Sequence, residues 1–421
     1  MSVMDTMYGK DIYAPISAER IRADLEALAK FNSTPGEGVT RLPFTKEARE
    51  ACEFLKERFK AAGLETYEDA IGNIIGILPG RDRNLPAIAM GSHYDTVYNG
   101  GMFDGQAGVV SALEIVRCLR EQGIELERDL RIIAFNDEEG VRFHRSYLGS
   151  YGILGRDQQK DIDTYRDRDG ISIREAMESW GMDADRIGEA AWDWDRICAF
   201  IELHIEQGPV LCSEGLKVGI VQSVVGFRRY MITVHGREDH SGTTPMELRK
   251  DAVDTAARVI AWMGDFARSR SDGTVATAGY LKVSPSVENI VPGSCEFSAE
   301  VRSENTESLE LFTKGLKEAI NAAAELCGTS FDMVEKMDIS PVKLSPRLCD
   351  MLEESCLKRG LSHKRMHSGA GHDAQEIAVA CETVMVFCPS RDGRSHCREE
   401  WTDFEDIACA ASAAYDVILK L

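Results

Sequence analysis

Short apolar runs that end in glycine-bearing turns rich in histidine and carboxylate are the feature that most constrains this chain. Five such clusters occur: Gly91-Ser92-His93-Tyr94-Asp95, Phe103-Asp104-Gly105, Asn136-Asp137-Glu138-Glu139-Gly140, Glu202-Leu203-His204-Ile205-Glu206 and Ser395-His396-Cys397-Arg398-Glu399. Ligand-type side chains directly after a hydrophobic run belong at the end of a buried strand. In an open α/β sheet the carboxyl ends of the strands share one crevice. The clusters are therefore expected to converge. Their three histidines and several carboxylates suit two divalent cations sharing one carboxylate, which points to hydrolysis.

The pattern along the chain supports an α/β layout. Amphipathic periodicity predicts helices over 17–30 and 45–62, with Ser17 and Thr45 as N-caps. Apolar runs at 74–78, 87–90 and 130–135 read as strands, with a helix over about 105–122 between the last two. The middle changes character: strands at 218–225 and 229–235, a helix over 249–268, strands around Pro285 and Pro292, a helix over 307–327 and a strand near 331–337. That order predicts a smaller sheet with two helices on one face, inserted at about 214–340 into a domain formed by 1–213 and 341–421.

Taken singly, each candidate ligand has a plainer structural reading. His93 ends an apolar run and has Asp95 two residues on, a carboxylate able to hold the second ring nitrogen of a metal-bound histidine. Asp104 before Gly105 is either a helix N-cap or a ligand, and the glycine permits close backbone approach. Glu138 and Glu139 form either a solvated acidic turn or a ligand beside a proton acceptor. Alternation puts Glu202, His204 and Glu206 on one strand face, where burying three polar groups is costly without a purpose. His396 lies in a loop after Pro389. Glycines around His372 suggest backbone approach to a substrate and make it a pocket residue.

A net charge of −21 disfavours nucleic acid as a partner, because a phosphate backbone needs a basic surface. No apolar stretch reaches membrane-spanning length. The start, Met1-Ser2-Val3-Met4-Asp5, lacks a signal-peptide pattern, so a cytoplasmic location is expected. The 12 cysteines include no C-x-x-C pair and are expected to be free thiols.

Five segments carry a resemblance: Gly-Gly-Met-Phe-Asp-Gly (100–105), Asp-Glu-Glu-Gly-Val-Arg-Phe (137–143), Glu-Leu-His-Ile-Glu-Gln-Gly-Pro (202–209), His-Ser-Gly-Thr-Thr-Pro-Met (240–246) and Ser-Gly-Ala-Gly-His-Asp-Ala (368–374). The chain resembles the amidase, or hydantoinase/carbamoylase, branch of the M20 metallopeptidase clan. That branch includes N-carbamoyl-L-amino acid hydrolases, allantoate amidohydrolases and β-ureidopropionases. The resemblance implies a two-domain α/β metallohydrolase. Its catalytic domain would have a mixed sheet with helices on both faces, and an inserted ferredoxin-like α+β domain would act as lid and homodimer contact, with hinges near 212–217 and 338–346. It implies His93, Asp104, Glu139, His204 and His396 as ligands of two divalent ions per subunit (zinc or manganese, with cobalt or nickel also suitable), Asp104 bridging. Glu138 would be the general base and Asp95 would orient His93. His240 would stabilise the oxyanion, Asn289 and Arg302 would hold the substrate carboxylate, and Gln207 would line the same pocket. The implied substrate is a small carboxylate-bearing ureido compound, an N-carbamoyl-L-amino acid. Allantoate, β-ureidopropionate, an N-acyl amino acid or dipeptide, and a non-catalytic binding role are the alternatives.

Overall fold

The computed structural model of the chain describes residues 16–421, so residues 1–5, read above for a targeting signal, lie outside it. The described residues divide into two compact units, one of 16–222, 344–366 and 371–421, the other of 223–343 and 367–370.

The larger sheet has nine strands: β1 (Glu65–Glu68), β2 (Ile74–Leu78), β3 (Ala87–His93), β4 (Leu130–Phe135), β5 (Ile197–Ile205), β6 (Val218–Val224), β14 (Val342–Lys343), β15 (His363–Ser368) and β16 (Glu382–Cys388). Their order is β1-β2-β4-β3-β5-β16-β6-β14, with β15 paired to β6. The central four, β4, β3, β5 and β16, run parallel, whereas β2 and β6 flank them antiparallel. Every residue of β3 is buried, as expected for a strand covered on both faces. Helix Gln106–Glu121 is the β3-to-β4 crossover and is apolar nearly all round, so it is buried between neighbours rather than lying on the surface. Its one inward carboxylate, Glu114, accepts from the Ser17 backbone N–H (2.9 Å) and pairs with Arg20 (2.7 Å), tying down the first described helix, Ala18–Leu28. Ser17 and Thr45 cap their helices by accepting from Arg20 N and Ala48 N.

The smaller unit has β7 (Gly226–His235), β9 (Val275–Thr277), β10 (Leu281–Ser284), β12 (Ser294–Ser303) and β13 (Ser330–Ile339) in one sheet of order β10-β12-β7-β13, β9 pairing with β12. A separate ribbon joins β8 (Asp239–His240) to β11 (Ile290–Val291). The alternate residues Tyr230, Ile232, Val234, Cys295, Phe297, Ala299 and Val301 share one core with helices Ala252–Ser269 and Thr306–Cys327. Both helices therefore cover the same sheet face, in a split β-α-β-β-α-β arrangement. Asp251 and Asn305 cap them.

The sequence reading placed 218–225 at the start of the insert, with hinges near 212–217 and 338–346. β6 instead pairs with β16 (Val221 opposite Met385), and the first division falls after Gln222, past the expected segment; the second, after Lys343, falls within 338–346. An apolar run does not reveal which sheet it will join. No helix among the described residues is long and apolar enough to cross a membrane, and all 12 cysteines are free.

Candidate metal centre

The four parallel strands converge on one site. His93 is the last residue of β3, His204 is the penultimate residue of β5, Glu138 and Glu139 follow β4, and the loop after β16 carries His396. The chain leaves β3 for β4 on one side and returns to β5 on the other. The crevice between β3 and β5 is thus the topological switch point, where such sheets bind ligands. The rings of His93 and His204 lie across it with centroids 5.8 Å apart.

Asp104 sits at the centre of the cluster. Its Oδ1 is 3.1 Å from His204 Nε2 and 3.7 Å from His93 Nε2, while its Oδ2 is 3.1 Å from His396 Nε2. Glu139 Oε1 lies 3.6 Å from His396 Nε2, and Glu138 Oε2 lies 3.9 Å from His93 Nε2. Among the possible ligand trios here, His93–Asp104–His204 and Asp104–Glu139–His396 share Asp104; His93–Glu138–Glu139 and Glu202–His204–His372 also bring their donor atoms within 4.8 Å of one another. The N-cap reading of Asp104 fails: Gly105 occupies the cap position of helix Gln106–Glu121 without a side-chain cap bond. Gly105 has φ 72°, and a Cβ there would meet the His93 ring at 2.4 Å, so only glycine lets the turn approach the histidine.

Neighbouring groups fix the orientation of these ligands. His93 Nδ1 faces the Asp95 carbonyl (3.2 Å) and Asp95 Oδ1 (3.5 Å), which leaves Nε2 toward Asp104. The same Asp95 carboxylate accepts from the backbone N–H of Glu138 (3.0 Å) and Glu139 (3.2 Å), so one buried side chain orients His93 and the acidic turn together. His204 Nδ1 lies 2.9 Å from the Ile205 carbonyl. A carbonyl only accepts, so the Nδ1 proton is donated there and the Nε2 lone pair is directed into the cluster. Gln207 Nε2 donates to Asp104 Oδ2 (2.9 Å). Asp137, Gln207 and His396 all adopt positive φ (60°, 55° and 56°), unusual for residues other than glycine and concentrated here at the site.

The donors fit a divalent cation. His204 Nε2 is buried and only 3.1 Å from a carboxylate oxygen, yet it has no hydrogen bond of acceptable geometry. A lone pair and a carboxylate face each other stably only with a positive charge between them. Burial, reinforced by neighbouring carboxylates against the opposing His93, pushes the Glu138 carboxyl well above its usual range. Burial and then the Asp104 charge push Glu139 up to about 8. Burial opposes the charge on Asp104 too, but His204, His396 and His93 hold its carboxyl well below the usual range. The pocket thus concentrates negative charge that calls for compensation.

Residues 89–420 match the sequence model of peptidase family M20/M25/M40. The chain belongs to that family. M20/M25/M40 members are metal-dependent hydrolases, in keeping with the two trios. The chain is 44% identical to an N-carbamoyl-L-amino-acid amidohydrolase of Paenarthrobacter aurescens, covering 93% of this chain and 94% of that one. It is 36% identical to the allantoate amidohydrolase of Bacillus subtilis, covering 94% and 96%. Among solved structures, a hydantoinase/carbamoylase-family amidase from Burkholderia multivorans superposes with a TM-score of 0.90 at 31% identity, over 96% of this chain and 98% of that one.

Not every expected residue of this M20 chain lies where the sequence reading put it. Of the three polar residues of the β5 segment, only His204 joins the two trios. Glu202 accepts from Ser92 Oγ (2.7 Å) and Ala374 N (2.8 Å), bracing the His372 turn, and the His372 ring stacks 4.4 Å from that of His204. Glu206 lies past the strand end and instead caps helix Val210–Glu214 through Val210 N and Leu211 N, both at 2.8 Å. Glu399 is exposed and pairs with Arg394 and Arg398, whereas its neighbour Glu400, unremarked in the sequence, is the buried one.

In the smaller unit His240 and Asn289 are neighbours: His240 pairs with Ile290, and Ser241 N donates to the Asn289 carbonyl (3.0 Å). His240 Nδ1 accepts from Gly242 N (3.0 Å) and Thr243 N (3.2 Å), which places the ring proton on Nε2. Arg302 lies at the other end of the sheet. It is opposite Phe227, whereas the Asn289 loop precedes Ser294, which is opposite His235. Eight residues of extended strand separate Ser294 from Arg302, about 27 Å. That length of strand sets Arg302 apart from the Asn289 loop within one protomer. Arg302 donates to Glu300 Oε1 (2.8 Å) and the Gly369 carbonyl (3.0 Å).

Proposed function

We propose that this protein is a metal-dependent amidohydrolase that cleaves the carbamoyl C–N bond of N-carbamoyl-L-amino acids, yielding the L-amino acid, carbon dioxide and ammonia. The two trios sharing Asp104 carry the metal part of this reading, and the 44% identity to an N-carbamoyl-L-amino-acid amidohydrolase carries the substrate class. His93 and His204 would hold one cation and Glu139 and His396 the other, with Asp104 between them; zinc and manganese suit these donors, as do cobalt and nickel. Bound there, the cations supply Lewis acidity and an activated water, which a ureido carbonyl needs because two nitrogens donate into it.

The chain supplies the remaining steps. Glu138, beside His93 and held by Asp95, takes the proton of the attacking water and returns it to the leaving nitrogen. His240, with its proton on Nε2, donates to the developing oxyanion. Asn289 hydrogen-bonds the substrate and Arg302 binds its α-carboxylate, while Gln207 and His372 line the pocket. We place the enzyme in the cytoplasm and give it a small molecule as partner, with neither nucleic acid nor membrane, as its charge of −21 favours.

The separation of Arg302 from His240 and Asn289 leads us to propose a homodimer, one protomer contributing Arg302 and the other His240 and Asn289. The edge strand β13, with Val334 and Met337 exposed, offers a surface for pairing. Arg302→Ala is expected to raise KM for carboxylate-bearing substrates by about 10–100-fold, the worth of a charge-assisted hydrogen bond, with little change in kcat. His240→Ala is expected to lower kcat. Mixed in equal amounts, allowed to exchange and assayed at substrate well below KM, the two variants should regain about a quarter of wild-type activity, because half of the dimers are heterodimers and half of the sites in each are intact. No recovery despite demonstrated exchange would place all three residues in one protomer's site.

A panel of N-carbamoyl-L-methionine, N-carbamoyl-β-alanine, allantoate and N-acetyl-L-methionine tests the substrate class. The highest kcat/KM is expected on N-carbamoyl-L-methionine. A maximum on allantoate would reassign the protein to that reaction.

A further inference from the structure

We propose that Glu400 is a positioning residue that presets Asp104 for metal binding, a role that rests on the metal-centre reading above. Glu400 is 4% exposed and comes from a segment almost 300 residues from the turn it serves. Its Oε1 accepts from two consecutive backbone N–H groups, Phe103 (3.0 Å) and Asp104 (3.1 Å). Its Oε2 lies 2.8 Å from Ser395 Oγ, and that hydroxyl lies 3.0 Å from Asp104 Oδ2. One carboxylate therefore grips the Asp104 turn by its backbone, and the Ser395 hydroxyl, with one proton to give, sits between that carboxylate and the Asp104 side chain.

Two observations show that the arrangement is built in. A Cβ at Gly101 would lie 2.2 Å from Glu400 Oε1 and 2.5 Å from its Cβ, so the second glycine of Gly-Gly-Met-Phe-Asp-Gly is the space that Glu400 occupies. The same short segment delivers His396, whose Nε2 meets Asp104 Oδ2 at 3.1 Å, so fixing Glu400 also fixes the loop that brings the fifth ligand. Ser395 has one proton and two carboxylates to serve; it orients Asp104 Oδ2, the oxygen of the Glu139–His396 trio. Asp104 Oδ1 faces His93 and His204 and has no link to Glu400. Loss of Glu400 should therefore weaken the Glu139–His396 trio more than the His93–His204 trio.

The test uses the full-length protein, stripped with chelator and titrated with zinc against a competing chromophoric chelator. Wild type should bind two ions. Glu400→Ala should weaken one of the two by about 10–100-fold, the usual cost of losing an outer support, and leave the other nearly unchanged. Glu400→Gln keeps a carbonyl for the two N–H groups and an amide toward Ser395 Oγ, so it should restore most of the affinity. Ser395→Ala, which leaves the backbone grip intact, should show a smaller loss confined to the same ion and serves if Glu400→Ala does not fold. Unchanged zinc affinity in both Glu400→Ala and Ser395→Ala, or equal losses in the alanine and glutamine variants, would overturn the role. Wild type that binds no zinc would overturn the metal-centre reading itself, and this role with it.

Discussion

Glu138→Gln is expected to retain its full complement of divalent metal and to lose about 10²–10⁴-fold in kcat, the range that one proton-transfer group supplies. Glutamine preserves the shape of the side chain and the backbone N–H that Asp95 accepts (3.0 Å), so the acidic turn keeps its place. What disappears is the only property the mechanism asks of Glu138, a carboxylate able to take a proton. Neither trio that shares Asp104 includes Glu138, and in the His93–Glu138–Glu139 trio glutamine still offers an oxygen donor, so metal content is expected to stay. Metal analysis of the dialysed variant, paired with steady-state rates, separates the roles. Near-wild-type turnover would remove Glu138 as the base, whereas loss of both metal and activity would make it a ligand.

Asp104→Asn should abolish detectable turnover and weaken binding of both ions by more than about 100-fold, beyond the effect usual for outer supports. Each carboxylate oxygen faces a different trio: Oδ1 meets His204 at 3.1 Å, and Oδ2 meets His396 at 3.1 Å. An amide keeps one acceptor but turns a hydrogen-bond donor toward the other histidine. No single rotamer of asparagine serves both. His396→Ala, by contrast, should release only one ion. A stoichiometry of two in Asp104→Asn, or of zero in His396→Ala, would contradict a shared ligand.

The convergence of the candidate ligands was legible in the sequence because burial makes polar groups informative. His93 and His204 stand in largely apolar, buried strands, where a polar side chain needs a partner, and Gly105 marks a backbone approach that the structure places against the His93 ring. Pairing information was not legible. The run at 218–224 reads as a strand in either unit, and only its partner β16 assigns it to the larger sheet. Distance was not legible either: motif resemblance grouped Asn289 with Arg302, although the length of β12 separates them. The region between β4 and β5 folds as short helices, Leu148–Ile153, Gln159–Thr164 and Ile173–Ser179, too brief for amphipathic periodicity to stand out. Glu399 and Glu400 are chemically alike and adjacent; only the path of the loop exposes one and buries the other against the Phe103–Asp104 backbone.

The most direct test of metal-dependent ureido hydrolysis is ammonia release from N-carbamoyl-L-methionine by chelated protein before and after manganese or zinc is restored. The expected result is no ammonia from the stripped protein and, after reconstitution, ammonia and free L-methionine in equal amounts. Metal-loaded protein that releases no ammonia from this substrate, yet frees methionine from N-acetyl-L-methionine, would contradict the account and make the protein an acylase.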